Sequence, residues 1–265
     1  LRSESQNDPK MRYQNIKSEL KEGINLVVVD RPKKLNALNR ETIEELHRAM
    51  ADAELNDEVK VVILTGSGDR AFVAGADISE FSQYTEEEGR QLAAEGQRKL
   101  FDFVANFSKP VIAAINGYAL GGGLELAMAA HFRLASDNVK LGLPEVSLGL
   151  IPGYGGTQRL PQIVGKARAL ELIMTAEMID ANQALQYHLV NHVVSQEDLL
   201  PFAFDIARKI MKNSLVAIST AIKAVNANYD PQLNGYEVEI EGFGASFATE
   251  DFKEGTTAFL EKRKP

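Results

Sequence analysis

The stretch NGYALGGGLELA, residues 116–127, follows an apolar segment and opens an apolar helical pattern. Gly121, Gly122 and Gly123 stand where that helix begins, although glycine destabilises helices. Their N–H groups could hold a developing oxyanion, or the glycines could let the helix pack tightly on a strand. Glu125 favours the first interpretation, because a glutamate among Leu, Ala and Met neighbours is rarely buried without a partner or a task.

A second isolated acid, Glu145, lies among apolar residues ahead of the segment LIPGYGGTQRL at 150–160. That segment again offers free N–H groups before a helix, beginning at Gly153. Two isolated carboxylates close to glycine-rich backbone suggest paired acid and base catalysis. Taken alone, Glu145 would more often be a salt-bridged loop residue.

The segment AFVAGADI, residues 71–78, is the third informative stretch. Its small residues would let a ligand touch the main chain. An ordinary strand-to-helix turn, with Asp77 capping the helix, explains the same pattern. Spacing alone leaves both interpretations open.

The pattern around these segments predicts an α/β fold. Strands are predicted where the chain is apolar and rich in β-branched residues, at 24–29, 59–64, 111–115 and 192–194. Helices are predicted from apolar residues at helical spacing, over 40–55 with Asn39 as cap and over 86–107. This alternation predicts a parallel α/β layer over roughly residues 20–195.

From residue 196 onward only helices are predicted, at 199–211, 216–227, 236–247 and 252–262. The first ten residues are polar and lack the pattern of a secretory signal or transit peptide, and Met11 is a candidate natural start.

Composition narrows the functional classes. The 265-residue chain has 37 Asp and Glu against 29 Lys and Arg, a net charge of −8, so nucleic acid is not an expected partner. Without cysteine there is no disulfide or thiolate chemistry. The most apolar stretch, 111–130, is interrupted by Asn116 and Glu125, so no membrane span is expected. No metal site is expected, since the spacing of His188 and His192 is better explained by chance.

Four segments, AFVAGADI, PVIAAINGYALGGGLELAMAA, LPEVSLGLIPGYGGTQRL and FATEDFKEGTTAFLEKRKP, together resemble the crotonase superfamily and, within it, the enoyl-CoA hydratases. The resemblance runs from about residue 12 to the C-terminus. It implies a spiral of repeated ββα turns as the core at 12–195 and a helical C-terminal trimerisation region at 196–265. Residues 1–11 are expected to be a disordered leader or a cloning remnant. A homo-oligomer is implied, a hexamer built as a dimer of trimers.

The resemblance also implies roles for individual residues. The thioester oxygen would sit between the backbone N–H groups of Ala76 and Gly122, while Glu125 and Glu145 would hold the water. The N–H of Gly153 would help to place that water. The segment that curls around the adenine end of coenzyme A would supply Ala74, Gly75, Asp77 and Ile78.

Two lysines, Lys33 and Lys262, are candidates for binding the phosphates of coenzyme A, because the chain is acidic overall. Ordinary surface lysines explain them equally well. One departure from the family pattern is His131, where relatives commonly carry Asp, and this puts a structural salt bridge in doubt.

Both glutamates together point to an enoyl-CoA hydratase, a carbon–oxygen lyase of fatty-acid β-oxidation or short-chain acyl-CoA metabolism. The expected reaction is reversible syn addition of water to a trans-2-enoyl-CoA, giving a 3-hydroxyacyl-CoA. No cofactor is expected, since the coenzyme A thioester is the substrate. Short acyl chains and a cytoplasmic location are expected. The alternatives are a methylglutaconyl-CoA hydratase, an enoyl-CoA isomerase, or a non-catalytic RNA-binding or structural member.

Overall fold

The structure is a computed structural model that describes residues 13–265. The leader predicted at 1–11 lies outside the described residues. Within residues 13–265, ten strands form two sheets. In chain order they are β1 Ile16–Lys21, β2 Ile24–Val29, β3 Val61–Gly66, β4 Ala71–Val73, β5 Val111–Ile115, β6 Tyr118–Leu120, β7 Phe132–Ser136, β8 Lys140–Gly142, β9 Ile179–Asp180 and β10 His192–Val194.

The larger sheet has the order β1-β2-β3-β5-β7-β10, and all its neighbours are parallel except β1 and β2. The predicted βαβ crossover is confirmed, because helix α1, Arg40–Leu55, connects the parallel strands β2 and β3. Asn39 caps it as expected, its side-chain oxygen accepting the N–H of Thr42 at 2.9 Å. Strands β3 and β5 are fully buried, which explains their continuous apolar sequence.

The smaller sheet has the order β4-β6-β8-β9 and is built from strands of two or three residues. Consecutive strands alternate between sheets, since β3, β5 and β7 join the larger one while β4, β6 and β8 join the smaller one. Helical segments follow each pair. The spiral of ββα turns expected from the resemblance is therefore confirmed.

The remaining helices include the predicted ones with ends shifted by one or two residues. They are α2 Glu86–Gly96, α3 Asp102–Ala105, α4 Gly122–Ala129, α5 Gly156–Val164, α6 Lys166–Thr175, α7 Ala181–Gln186, α8 Leu199–Ile210, α9 Leu215–Ala227, α10 Gly235–Ser246 and α11 Glu250–Leu260. The helix predicted over 86–107 is continuous, but a π-helical turn, Gln97–Phe101, separates α2 from α3.

The predicted strands need one correction, and six strands were missed. The strand predicted at 59–64 lies at Val61–Gly66, because Val59 belongs to the preceding turn and donates its N–H to Asn56. The strands β1, β4, β6, β7, β8 and β9 were not predicted. Most have too few residues for a period of two to appear in the sequence, and β1 exposes five of its six residues.

The helices after β10 carry large apolar side chains on their surface. Tyr236, Phe243, Phe259 and Leu260 are each more than two-thirds exposed, at 69% to 82%. This supports the predicted oligomerisation region at 196–265, which stays a prediction. Within residues 13–265, no helix combines the length and apolar character needed to cross a bilayer.

His131, the departure from the family pattern, and Arg133 both hydrogen-bond to backbone groups. The buried Arg133 guanidinium donates to the carbonyl of Leu189 at 2.7 Å and to that of Ala130 at 3.1 Å. Ala130 caps the C-terminus of α4, where a positive charge is favourable. Nδ1 of His131 accepts the N–H of Val111 at 2.9 Å, which requires a neutral ring. Burial, together with the charge of Arg133, lowers the pKa of His131 to about 4.

We expect this histidine to destabilise the protein in acid. Because its pKa is lower in the folded state than in the unfolded chain, protons bind the unfolded chain preferentially. Stability is therefore lost as pH falls below about 6.5 and on towards 4. His131→Asn retains an acceptor for Val111 but does not titrate. Chemical denaturation at pH 7.5 and pH 5 should show wild type losing about 1 to 2 kcal/mol more than the variant. Equal losses would rule out His131 as the cause.

Candidate active site

A cavity of about 1300 Å³ opens where the N-terminus of α4 meets the loops around it. It brings together most of the residues singled out in the sequence. Those that line it are Ala74, Gly75, Ala76, Ile78, Gly122, Glu125, Glu145 and Gly153.

The three glycines at the start of α4 differ in whether, and why, the structure excludes a side chain. Gly121 has φ +50°, which disfavours any side chain, and a Cβ there would lie 2.6 Å from Oε1 of Glu145. A Cβ on Gly123 would lie 1.9 Å from the carbonyl oxygen of Val73 in β4, so this glycine permits tight packing of helix on strand. Gly122 has room for a Cβ, its nearest neighbour lying 3.4 Å away. The packing interpretation of the glycine run is therefore confirmed for Gly123, and the oxyanion interpretation stays a prediction for Gly122.

Gly122 is the first residue of α4, so its N–H has no partner within the helix. A second residue with a free N–H is Ala76, which forms a parallel β-bridge with Leu38. The bridge uses the carbonyl of Gly75 and the N–H of Asp77, at 2.9 and 2.7 Å, and leaves the N–H of Ala76 outside it. Neither Gly122 nor Ala76 donates to any acceptor within residues 13–265.

Glu125 lies one helical turn into α4 and is 1% exposed. Its Oε1 accepts the N–H groups of Tyr154 at 2.8 Å and Gly156 at 2.7 Å. Burial raises its pKa to about 7, and the charge of Glu145 acts in the same direction against these two hydrogen bonds. Glu125 can therefore exchange a proton near neutral pH.

Glu145 lies in a 3-10 helix, Pro144–Leu148, that follows β8. Its Oε2 is buried without a hydrogen-bond partner in the described part of the chain, and burial raises its pKa. The Oε1 contacts the Gly121 turn, so this carboxyl stands beside the N-terminus that also carries Glu125. An unpartnered buried oxygen at a cavity wall suits a group that exchanges protons with a bound molecule.

Two free N–H groups and two carboxyls with raised pKa values thus surround one cavity. A family model described as enoyl-CoA hydratase/isomerase matches residues 19–265. This chain belongs to the enoyl-CoA hydratase/isomerase family. Its relatives and the solved structures that it resembles agree with this assignment.

Among those relatives, a crotonyl-CoA hydratase of Syntrophomonas wolfei is 46% identical, over 96% of this chain and 98% of its own. A short-chain-enoyl-CoA hydratase of Clostridium acetobutylicum is 45% identical, over 96% and 97%. The crystal structure of an enoyl-CoA hydratase from Bacillus anthracis superposes with a TM-score of 0.89 at 39% identity, covering 95% of this chain and 98% of that one.

Three of the predicted binding residues do not line the cavity of this family member. The Asp77 carboxylate pairs with Arg31 at 3.2 Å and accepts from the Ser79 hydroxyl at 2.6 Å. It makes no side-chain cap of the short 3-10 helix that follows, so the capping interpretation is wrong. Lys33 and Lys262 are exposed outside the cavity, and their role in binding stays a prediction.

Sequence reasoning missed the residues that shape the loop opposite Glu125. The Tyr154 ring stacks on Phe101 with centroids 4.5 Å apart, and a Cβ on Gly96 would come within 2.3 Å of it. Gln97 donates to the carbonyl of Gly153 at 2.8 Å. These contacts join residues more than fifty positions apart in the sequence, so no local pattern could have shown them.

Proposed function

We propose that this chain hydrates short trans-2-enoyl-CoA thioesters to 3-hydroxyacyl-CoA thioesters. The observation that carries the proposal is the position of two carboxyls with raised pKa values, Glu125 and Glu145, beside two free N–H groups. One pair suits proton transfer, and the other suits charge stabilisation on a thioester oxygen. The names of the hydratase relatives support the same reaction.

In this mechanism the thioester oxygen accepts hydrogen bonds from the N–H groups of Ala76 and Gly122. The developing negative charge also lies at the N-terminus of α4, where the helix dipole stabilises it. Hydrogen-bond donors that are already aimed at such an oxygen contribute much of the acceleration in acyl chemistry, because they need no rearrangement.

Glu125 takes a proton from water as the water oxygen bonds to the β-carbon, and Glu145 gives a proton to the α-carbon. The N–H of Gly153, which has no acceptor in the described residues, places the water. Both carboxyls stand at the same end of α4, so the two additions occur on one face, as in syn addition. A proton transfer from Glu125 to Glu145 then restores the pair, and no cofactor takes part.

Tyr154 limits the length of the acyl chain in this proposal. Its ring lies beneath Gly122, the nearest ring atom 3.4 Å from a Cβ placed there, and fills the space towards Gly96. Ile78 and Leu92 also line the cavity. We therefore expect the Tyr154 ring to restrict the acyl chain to about four carbons.

We expect Tyr154→Ala to widen the acyl range, because the backbone N–H that Glu125 accepts remains while the ring is removed. Wild type should prefer C4 over C8 and C16 enoyl-CoA. In the variant the ratio of kcat/KM for C8 to that for C4 should rise at least about tenfold. A wild type inactive on all three would refute hydration, whereas an unchanged ratio would refute only the role of Tyr154.

Coenzyme A binding by Ala74, Gly75, Asp77, Ile78, Lys33 and Lys262 is part of the proposal. Asp77 would act by pairing with Arg31 and shaping the binding loop. If the lysines attract phosphates, Lys33→Ala and Lys262→Ala should each raise KM a few-fold at low ionic strength and less in salt. Unchanged KM values at low ionic strength would remove them from the site.

We also propose that the chain works as a hexamer, a dimer of trimers, in the cytoplasm. The exposed apolar side chains on the helices after β10 support an assembly that covers them. Light scattering coupled to size exclusion measures the mass, and a monomer at micromolar concentration would contradict the assembly.

A further inference from the structure

The loop that donates hydrogen bonds to Glu125, residues 153–156, has a backbone that its own sequence constrains little. Tyr154, whose N–H reaches the carboxylate, stands between Gly153 and Gly155, and Gly155 has φ +97°. Glycine leaves a backbone many accessible conformations. Something outside the loop must therefore fix the direction of the Tyr154 N–H.

A peptide unit is planar, so the carbonyl of Gly153 and the N–H of Tyr154 point in opposite directions as one rigid group. Gln97 donates from Nε2 to that carbonyl at 2.8 Å, and the N–H donates to Glu125 at 2.8 Å. Since a carbonyl only accepts, the amide nitrogen of Gln97 must be the atom that faces it. The peptide is thus held at both ends, by Gln97 and by Glu125.

Arg159 does not perform the same task. It donates to the carbonyl of Tyr154 at 2.9 Å and pairs with Asp102 at 2.8 Å. That carbonyl belongs to the next peptide unit, whose N–H is that of Gly155. In the part of the chain that the structure describes, Gln97 is the side chain that bonds to the carbonyl end of the peptide unit containing the Tyr154 N–H.

The π-helical turn explains how Gln97 reaches the loop. The N–H of Asp102 donates to the carbonyl of Gln97, five positions earlier, so the turn contains one residue more than an α-helical turn. Gln97, Phe101 and Asp102 all contact the loop or its anchor, through Gly153, Tyr154 and Arg159 respectively. π-Turns of this kind are frequent at functional sites.

We infer that Gln97 is a positioning residue for Glu125, which it serves by aiming the N–H of Tyr154 at the carboxylate. The effect of Gln97 on turnover rests on the proposed function, whereas its effect on the pKa of Glu125 is independent of that function. The other charged groups that affect the pKa of this carboxylate are Glu145 and Arg159, and the side chain of Gln97 bonds to neither of them.

The test compares two identical replacements at adjacent positions, Gln97→Met and Arg98→Met. Arg98 lies in the same π-helical turn and is exposed, and among the described residues its side chain donates only to the carbonyl of Ala94 in its own helix. Loss of the donor at position 97 should lower kcat for crotonyl-CoA about tenfold and leave KM within about twofold. The acid limb of the pH profile of kcat/KM should move about 0.5 to 1 pH unit higher, because a weaker Tyr154 hydrogen bond stabilises the Glu125 carboxylate less.

Arg98→Met should behave as wild type. Gln97→Asn, whose shorter side chain falls short of the Gly153 carbonyl, should reproduce the shift without adding an apolar group. A Gln97 variant with wild-type kcat and acid limb overturns the inference. So does one that loses kcat without any shift, because that is what a merely structural residue would do.

An infrared titration measures the same pKa without turnover, using the carboxyl band that Glu125→Gln abolishes. If wild type fails to hydrate crotonyl-CoA, the proposed function falls, and this titration still decides the inference. A higher pKa of Glu125 in Gln97→Met and Gln97→Asn supports it, and an unchanged pKa overturns it.

Discussion

Replacing Glu125 with glutamine is expected to lower kcat for crotonyl-CoA hydration by about 10² to 10⁴-fold, the range for a positioned acid or base. Glutamine keeps an oxygen that accepts the N–H groups of Tyr154 and Gly156, so the geometry of the loop survives. Only the proton acceptor is lost. Glu145→Gln should fall in the same range, because it removes the proton for the α-carbon.

The double variant should not multiply the two losses, because the carboxyls act as a unit. Glu41→Gln, at an exposed position in the first turn of α1, serves as the matched control and should leave kcat unchanged. Steady-state kinetics on wild type and these four variants test the two roles. Near-wild-type hydration by either single variant would show that the role given to that glutamate is wrong.

Stability distinguishes a catalytic loss from unfolding. The pKa of Glu125 is raised to about 7 in the folded state, so the folded protein holds this proton more tightly than the unfolded chain does. The group therefore costs stability progressively as pH rises from about 4.5 through 7. Because glutamine does not ionise, Glu125→Gln should be at least as stable as wild type above pH 7. Thermal unfolding at pH 8 and pH 5 measures this.

The sequence predicted this centre because both acids interrupt otherwise apolar segments that are rich in glycine. Glu125 and Gly122 lie three positions apart, so a local pattern was enough to place them at one helix start. The parallel layer was predictable for a similar reason, since buried strands such as β3 and β5 are continuous apolar runs.

The parts that escaped prediction depend on contacts between distant segments. The strand β6 has three residues and is recognisable only from its pairing with β4 and β8. The bond between Gln97 and Gly153 leaves no periodic trace, because a glutamine in a helix usually points to solvent. For Asp77, the sequence could not show that Arg31, 46 positions away, holds its carboxylate.

Gly122→Pro should have the second large effect, because catalysis is proposed to depend on the N–H of Gly122. Proline has no N–H, so one of the two donors to the thioester oxygen disappears. Loss of one such donor costs roughly 3 to 4 kcal/mol of transition-state stabilisation, which is about 10² to 10³-fold in kcat. The first position of a helix tolerates proline, and Gly122 occupies it in α4.

Gly122→Ala is the matched control, because it adds a side chain and keeps the donor. Its Cβ would lie 3.4 Å from the Tyr154 ring and 3.7 Å from Leu38, a close but tolerable contact. Any loss it causes reports crowding against the thioester and should appear in KM at least as much as in kcat. Circular dichroism and oligomer size establish that both variants fold.

Proline also places a ring carbon where the N–H had been, so blocked binding must be distinguished from a lost donor. Binding of the product, 3-hydroxybutyryl-CoA, separates the two. With the donor absent but the site open, the product should still bind, and its thioester carbonyl band should lie at higher frequency than in wild type, because fewer hydrogen bonds polarise it. A folded Gly122→Pro protein that hydrates crotonyl-CoA at close to the normal rate would mean that the oxyanion does not lie at the N-terminus of α4. The proposed position of the thioester, with its oxygen at Ala76 and Gly122 and the water at Glu125, would then be wrong.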